Sequence, residues 1–183
     1  VYTEREKVAN CGYHGWHDWC CPETKGVPKV LKDYVFSFDG NKPETLEKIF
    51  KEHPNEIACV IIAPENVKPE NMKESLLAIQ KIAHENGAVL VFDEVKTGFR
   101  IALGGVQEYV GVTPDMTCLS KAMANGFPIS AVVGKKEVME ASAQTWYSAT
   151  FNGEFVSMVA ALTTIQELED RQGIKHIWRL GER

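Results

Sequence analysis

An α/β domain built on a largely parallel sheet is the fold class this sequence predicts. Three observations predict it. Six short apolar runs are spaced along the chain, and helical 3.6-residue stripes fill much of the space between them. The 183 residues, 44% hydrophobic and 25% charged, have the composition of one substantial globular domain. A chain of this size buries roughly 70% of its unfolded surface, so it needs no disulfide or metal to hold a core.

The strands are expected at residues 8–11, 34–38, 57–62, 88–92, 116–119 and 129–133. Runs such as Ile57 to Ile62 and Ala88 to Phe92 are continuously apolar rather than alternating, the pattern of strands covered on both faces of a three-layer domain. A first helix is expected from Pro43 to His53, with Leu46, Ile49 and Phe50 on one face and proline in the first turn. Asn71 is expected to cap a second helix, which carries Met72, Leu76, Ile79 and Ala83 as its stripe and ends at Gly87. A third is expected over about residues 154–170, burying Phe155, Val159 and Leu162, and an amphipathic helix begins at Ile174.

Composition narrows the function classes. Twenty Lys and Arg against twenty-five Asp and Glu leave a net charge of −5, which speaks against non-specific binding to DNA or a membrane surface. No apolar run approaches the ~18 residues of a membrane span. The first ten residues carry four charges and no apolar stretch of a signal peptide. The five cysteines are dispersed without a CxxC spacing, predicting free thiols and a reducing, cytoplasmic compartment. The start at Val1 and the helix-like end at Arg183 predict a piece of a longer protein.

In parallel sheets ligands collect at the carboxyl ends of the strands, so the polar residues just after each apolar run are the ones that bear on function. Asp93-Glu94 follows Val89-Leu90-Val91-Phe92 and sets carboxyl groups at that edge. Ser120-Lys121-Ala122 follows another run, and its lysine can act as a desolvated amine suited to Schiff-base formation. Gly12-Tyr13-His14-Gly15-Trp16-His17 follows the first strand, where glycine-flanked aromatics can lie against a planar ligand or simply pack. His14 and His17 lack an evident third metal ligand. No GxGxxG turn marks a nicotinamide-dinucleotide site.

Together, Asp93-Glu94-Val95 with Thr97-Gly98-Phe99-Arg100, Ser120-Lys121-Ala122 with Asn125-Gly126, and the Tyr13-His14 turn resemble the class III (ornithine-type) aminotransferases. Within that family the likeness is greatest to the glutamate-1-semialdehyde 2,1-aminomutases. The resemblance implies the large domain of a fold-type I pyridoxal-phosphate transferase, incomplete here. Residues 1–173 would form part of that domain, and 174–183 would start the helix leading to a small C-terminal domain.

It also implies roles. Lys121 would form the Schiff base with pyridoxal phosphate and then move the proton. Asp93 would pair with the pyridine nitrogen, Tyr13 and Val95 would cover the two ring faces, and His14 would partner Asp93. Thr150 would reach the cofactor phosphate of a neighbouring subunit, making a homodimer with shared active sites. The implied reaction moves an amino group of a small amino or carbonyl substrate, between molecules or within one as in tetrapyrrole biosynthesis, and belongs to the longer protein. Ala63 stands where relatives commonly carry an acid, and the family's Gly/Ser-rich phosphate turn is not found before Tyr13. A non-catalytic remnant of the fold, acting as a dimerisation or binding module, is the alternative.

Overall fold

The computed structural model describes residues 1–21 and 24–182. Its centre is one six-stranded sheet. The strands are β1 (Lys7–Cys11), β2 (Val35–Ser37), β3 (Ile57–Ile62), β4 (Val89–Asp93), β5 (Met116–Leu119) and β6 (Ala131–Gly134), in the spatial order β2-β1-β3-β4-β5-β6. All pair in parallel except β6, which runs antiparallel to β5 along the sheet edge.

Six helices accompany the described strands: α1 (Glu44–Glu52), α2 (Met72–Glu85), α3 (Gly105–Val110), α4 (Lys136–Glu140), α5 (Phe155–Asp170) and α6 (Gly173–Gly181). Leu46, Ile49 and Phe50 of α1 and Leu76, Ile79 and Ala83 of α2 are buried as expected, while Met72 is only partly buried and Ile82 joins the buried face. They meet Ala9, Val60, Ile62, Leu90 and Phe92 from one face of the sheet, and Val106 of α3 joins them. The opposite face is thinner: Val89 and Val91 pack with Val138 of α4, while Cys59, Ile61, Met116 and Cys118 are only partly covered. The continuous apolar runs thus reflect two unequal layers.

Several local expectations shift. Asn71 does stand at the N-terminal boundary of α2, but its side chain makes no capping bond, because a short 3₁₀ turn over Pro69–Asn71 feeds straight into the helix. Gly87 ends α2 as expected, with φ +67° and its N–H donating to His84 O at 3.0 Å. The last strand begins at Ala131 rather than Ile129, since Ile129 N–H bonds Phe127 O and Ile129 O accepts the Ser120 hydroxyl.

The predicted buried face of α5 is corrected. Phe155, Val159 and Leu162 are 80%, 58% and 70% exposed. The helix packs instead through Ser157, Ala160, Ala161 and Ile165, small residues in the main that let it approach the 3₁₀ turn Lys121–Met123 closely. Its sequence is apolar on nearly every side, so a stripe alone could not choose between faces. Glu154 fixes its start by accepting the Val156 and Ser157 N–H groups at 2.7 and 2.8 Å. Trp178 ties α6 to the body through a bond from Nε1 to Ile101 O at 2.8 Å and a stack on Tyr109. No described helix is long and apolar enough to cross a membrane.

Candidate active site

Four neighbouring parallel strands, β1, β3, β4 and β5, end on the same side of the sheet, and the segment after each contributes to one cleft of about 240 Å³. Tyr13, His14 and Gly15 come from the turn after β1, Glu65 from the turn after β3, Asp93, Val95 and Lys96 from the end of β4, and Lys121 from beyond β5. The turn after β1 comes this close to its neighbour because residue 12 is glycine. Its φ is +103°, and a Cβ there would stand 2.9 Å from the Ala63 methyl.

Asp93 is the last residue of β4, and its carboxyl is held from two sides. His14 Nδ1 lies 2.8 Å from Oδ2, and the Val95 N–H donates to Oδ1 at 3.2 Å. A carboxylate only accepts, so Nδ1 carries the hydrogen. The His14 side chain is 1% exposed and stacks against Trp19, with its Nε2 buried and unpartnered. Asp93, at 12%, keeps an opening to the cleft.

Lys121 sits at φ +45°, a left-handed conformation that costs a non-glycine residue about 1–2 kcal/mol. Ser120 before it is extended, and the Ser120 hydroxyl anchors that bend on Ile129 O at 2.7 Å. Such strain concentrates where a side chain must be aimed rather than merely packed. Lys121 is exposed, so the desolvated amine expected from its place after an apolar run is not what the fold provides. Among the described residues its side chain has no ion pair or hydrogen bond, and the residue borders both the cleft and a wider groove of about 1480 Å³ running to α5 and α6.

Lys96, the second amine of the cleft, is not free. Its Nζ lies 2.9 Å from Glu65 Oε1, and that hydrogen bond and charge hold its pKa above the ordinary lysine value. The two amines of the cleft therefore differ in kind: one is paired and one is unpaired.

The acidic pair at the end of β4 divides its duties. Asp93 faces the cleft, whereas Glu94 is fully buried on the other side, against α3. Tyr13 is 60% exposed on the cleft wall and Val95 lines it as well. Thr150 stands apart, exposed in the turn before α5 and outside the cleft lining. Glu65 and Lys96 were not singled out by sequence reasoning. Glu65 was reachable by the same strand-end rule that found Asp93, since it follows β3 as closely as Lys96 follows β4.

A pyridine aldehyde fits this donor set: an unpaired amine for the aldehyde, a carboxyl open to the cleft for the ring nitrogen, and an exposed aromatic face. The comparisons agree. The chain belongs to the class-III aminotransferases, whose family model matches residues 8–183. Pyridoxal phosphate is the cofactor that this membership brings.

Among curated relatives, the 3-aminobutyryl-CoA aminotransferase of Cloacimonas acidaminovorans is 39% identical over 92% of this chain and 42% of its own length. The glutamate-1-semialdehyde 2,1-aminomutase of Methanobrevibacter smithii is 36% identical over 98% of this chain and 47% of its own. Among solved structures, the FumI protein of Sphingopyxis sp. MTA144, in its PLP internal aldimine form, superposes with a TM-score of 0.84 at 29% identity, over 92% of this chain and 42% of that one. The chain thus spans less than half the length of these relatives.

Proposed function

We propose that the protein is a pyridoxal-phosphate enzyme that moves an amino group, with Lys121 as the amine that anchors the cofactor. The observation that carries this reading is the convergence of Lys121, Asp93, His14, Tyr13 and Val95 on one cleft from three strand ends, those of β1, β4 and β5. When bound, the cofactor supplies an electron sink that stabilises negative charge at the substrate carbon bearing nitrogen.

The chain's own residues supply the rest. Asp93 presents its carboxyl to the ring nitrogen and favours the cationic form of that ring by its charge. His14 and the Val95 N–H keep the carboxyl from rotating away. Tyr13 and Val95 provide the apolar walls of a flat slot. Lys121 Nζ first serves as the anchoring amine and then carries the proton at the substrate carbon. Lys96 stays protonated on Glu65 and does not compete as a nucleophile.

Transfer between two molecules is favoured by the likeness to an aminotransferase, and rearrangement within one by the likeness to an aminomutase. The two share every step assigned above and differ in whether a keto product leaves. Thr150, exposed and away from its own cleft, is compatible with serving a neighbouring copy in a homodimer. The assembled constellation leaves the non-catalytic alternative without a supporting observation.

The test is a titration of the full-length gene product with pyridoxal phosphate, read by visible absorption, beside Asp93→Asn. Saturable binding that weakens by about ten-fold or more in the variant supports the assignment, a loss of about 1.4 kcal/mol. Equal binding by both proteins would remove Asp93 from the site. A panel of amino donors then separates the two reactions by whether a keto acid appears.

A further inference from the structure

We propose that Glu94 is a positioning residue for the cleft, fixing the segment that carries Asp93, Val95 and Lys96 and registering it against β5, the strand that leads to Lys121. This rests on the function proposed above. Glu94 takes no part in the chemistry assigned there, yet it is a carboxyl group with 0% exposure, and burial of such a group is costly unless it is fully hydrogen-bonded.

Its bonds reach in three directions. Oε2 accepts the Thr97 hydroxyl at 2.6 Å and the Val106 N–H at 2.7 Å, and Oε1 accepts the Gln107 N–H at 2.9 Å. The Gln107 side chain, 3.4 Å from Oε1, passes the connection on by donating to the Thr117 hydroxyl of β5 at 3.0 Å. The main chain of Glu94 repeats the pattern, its N–H on Cys118 O at 3.0 Å and its carbonyl accepting the Gly98 N–H at 2.8 Å.

Capping α3 alone would need only the bonds to Val106 and Gln107. The remaining ones close the turn over residues 94–98 from both ends, Gly98 onto the Glu94 carbonyl and Thr97 onto its side chain. Val95 and Lys96 lie in the middle of that turn and line the cleft. Asp93, one residue before, is bound to the same turn by the Val95 N–H. A shift of Glu94 therefore moves the carboxyl for the ring nitrogen, one wall of the slot and the paired amine together. Room for this arrangement is reserved at Gly105, where a Cβ would stand 2.5 Å from Glu94 Cδ and 2.7 Å from Oε1.

The experiment compares Glu94→Gln with Leu46→Ala, a core truncation on α1 that lowers stability at a distance. Gln keeps the size but turns one acceptor into a donor facing N–H groups. Two readouts are taken on the full-length gene product well below each melting temperature: the pyridoxal phosphate dissociation constant, and hydrogen exchange of residues 93–98 in the cofactor-free protein. In Glu94→Gln the dissociation constant should rise about ten-fold, and the amides of Val95 and Gly98 should exchange faster before any cofactor is added. Leu46→Ala should leave both readouts at wild-type values.

A Glu94→Gln protein that is less stable but binds and exchanges as wild type would overturn the proposal. Should that variant not fold, Thr117→Val cuts only the outermost link; a smaller rise in the same direction supports the proposal, and unchanged binding and exchange overturn it. Failure of the wild type to bind the cofactor would instead strike the functional reading, while the exchange comparison still judges Glu94.

Discussion

Replacing Gly105 by alanine tests the closest approach at any described glycine. Gly105 opens α3 at φ +78°, and an added Cβ would collide with the Glu94 carboxyl. Gly111, which closes the same helix at φ +72°, has nothing within 4 Å of a Cβ in that position. The pair separates two costs. Gly111→Ala carries only the left-handed conformation of a non-glycine residue, about 1–2 kcal/mol. Gly105→Ala carries that and also displaces Glu94 from the Thr97 hydroxyl and the Val106 and Gln107 N–H groups. Leaving two of those donors without partners in a dry interior adds about 2–4 kcal/mol. The expected totals are about 1–2 kcal/mol for Gly111→Ala and about 3–6 kcal/mol for Gly105→Ala, the latter a large share of the roughly 5–15 kcal/mol that holds a domain together. Urea unfolding followed by far-UV circular dichroism measures both, and thermal melts should separate the two variants by on the order of 10 °C. A difference of less than about 1 kcal/mol between them would show that Glu94 yields readily, and the reasoning about its rigid seat would fail.

Other consequences follow from the charges and thiols. Burial pushes the Asp115 carboxyl up, but bonds from Lys135, the Leu90 N–H and His84 outweigh burial and hold it below the usual value. A depressed carboxyl stabilises the fold above its unfolded pKa of about 3.9 and loses that contribution as pH falls through the folded value. Asp115→Asn keeps an oxygen that can accept the buried Leu90 N–H but removes the charge, so it should cost about 1 kcal/mol at neutral pH, with Lys135 and His84 adding little because they are half exposed, and the gap to wild type should close below about pH 4. A gap that persists at pH 2 would contradict this. Burial raises Cys59 and Cys118 to about 11, so at pH 8 only about one in a thousand of either is thiolate. Iodoacetamide with peptide mapping should label them about a hundred-fold more slowly than in the unfolded chain, and fast labelling would show that the thin face of the sheet opens.

The parts that were legible in the sequence are those decided by neighbours along the chain. Apolar runs marked the strands, and the residue closing each run, Asp93 above all, marked the cleft. The stripe of α2 gave its buried face because its outer face is charged. Sequence reasoning missed α3 because a glycine begins it and its cap comes from Glu94, eleven residues before Gly105. It missed α4 because five residues are too few for a period to show. It misjudged α5 because apolar residues surround that helix, and the contact with residues 121–124 selects the small ones. The partition of Asp93 toward the cleft and Glu94 into the interior depends on what α3 and β1 bring to either side, which no local pattern encodes.

The central claim is that Lys121, and not Lys96, is the amine that holds the cofactor. The direct measurement is borohydride reduction of the full-length gene product loaded with pyridoxal phosphate, followed by peptide mass mapping of the fixed pyridoxyl group. The account predicts the label on Lys121, and its disappearance in Lys121→Ala without transfer to Lys96, because Glu65 keeps that amine protonated. A label on Lys96 in the wild type would contradict it.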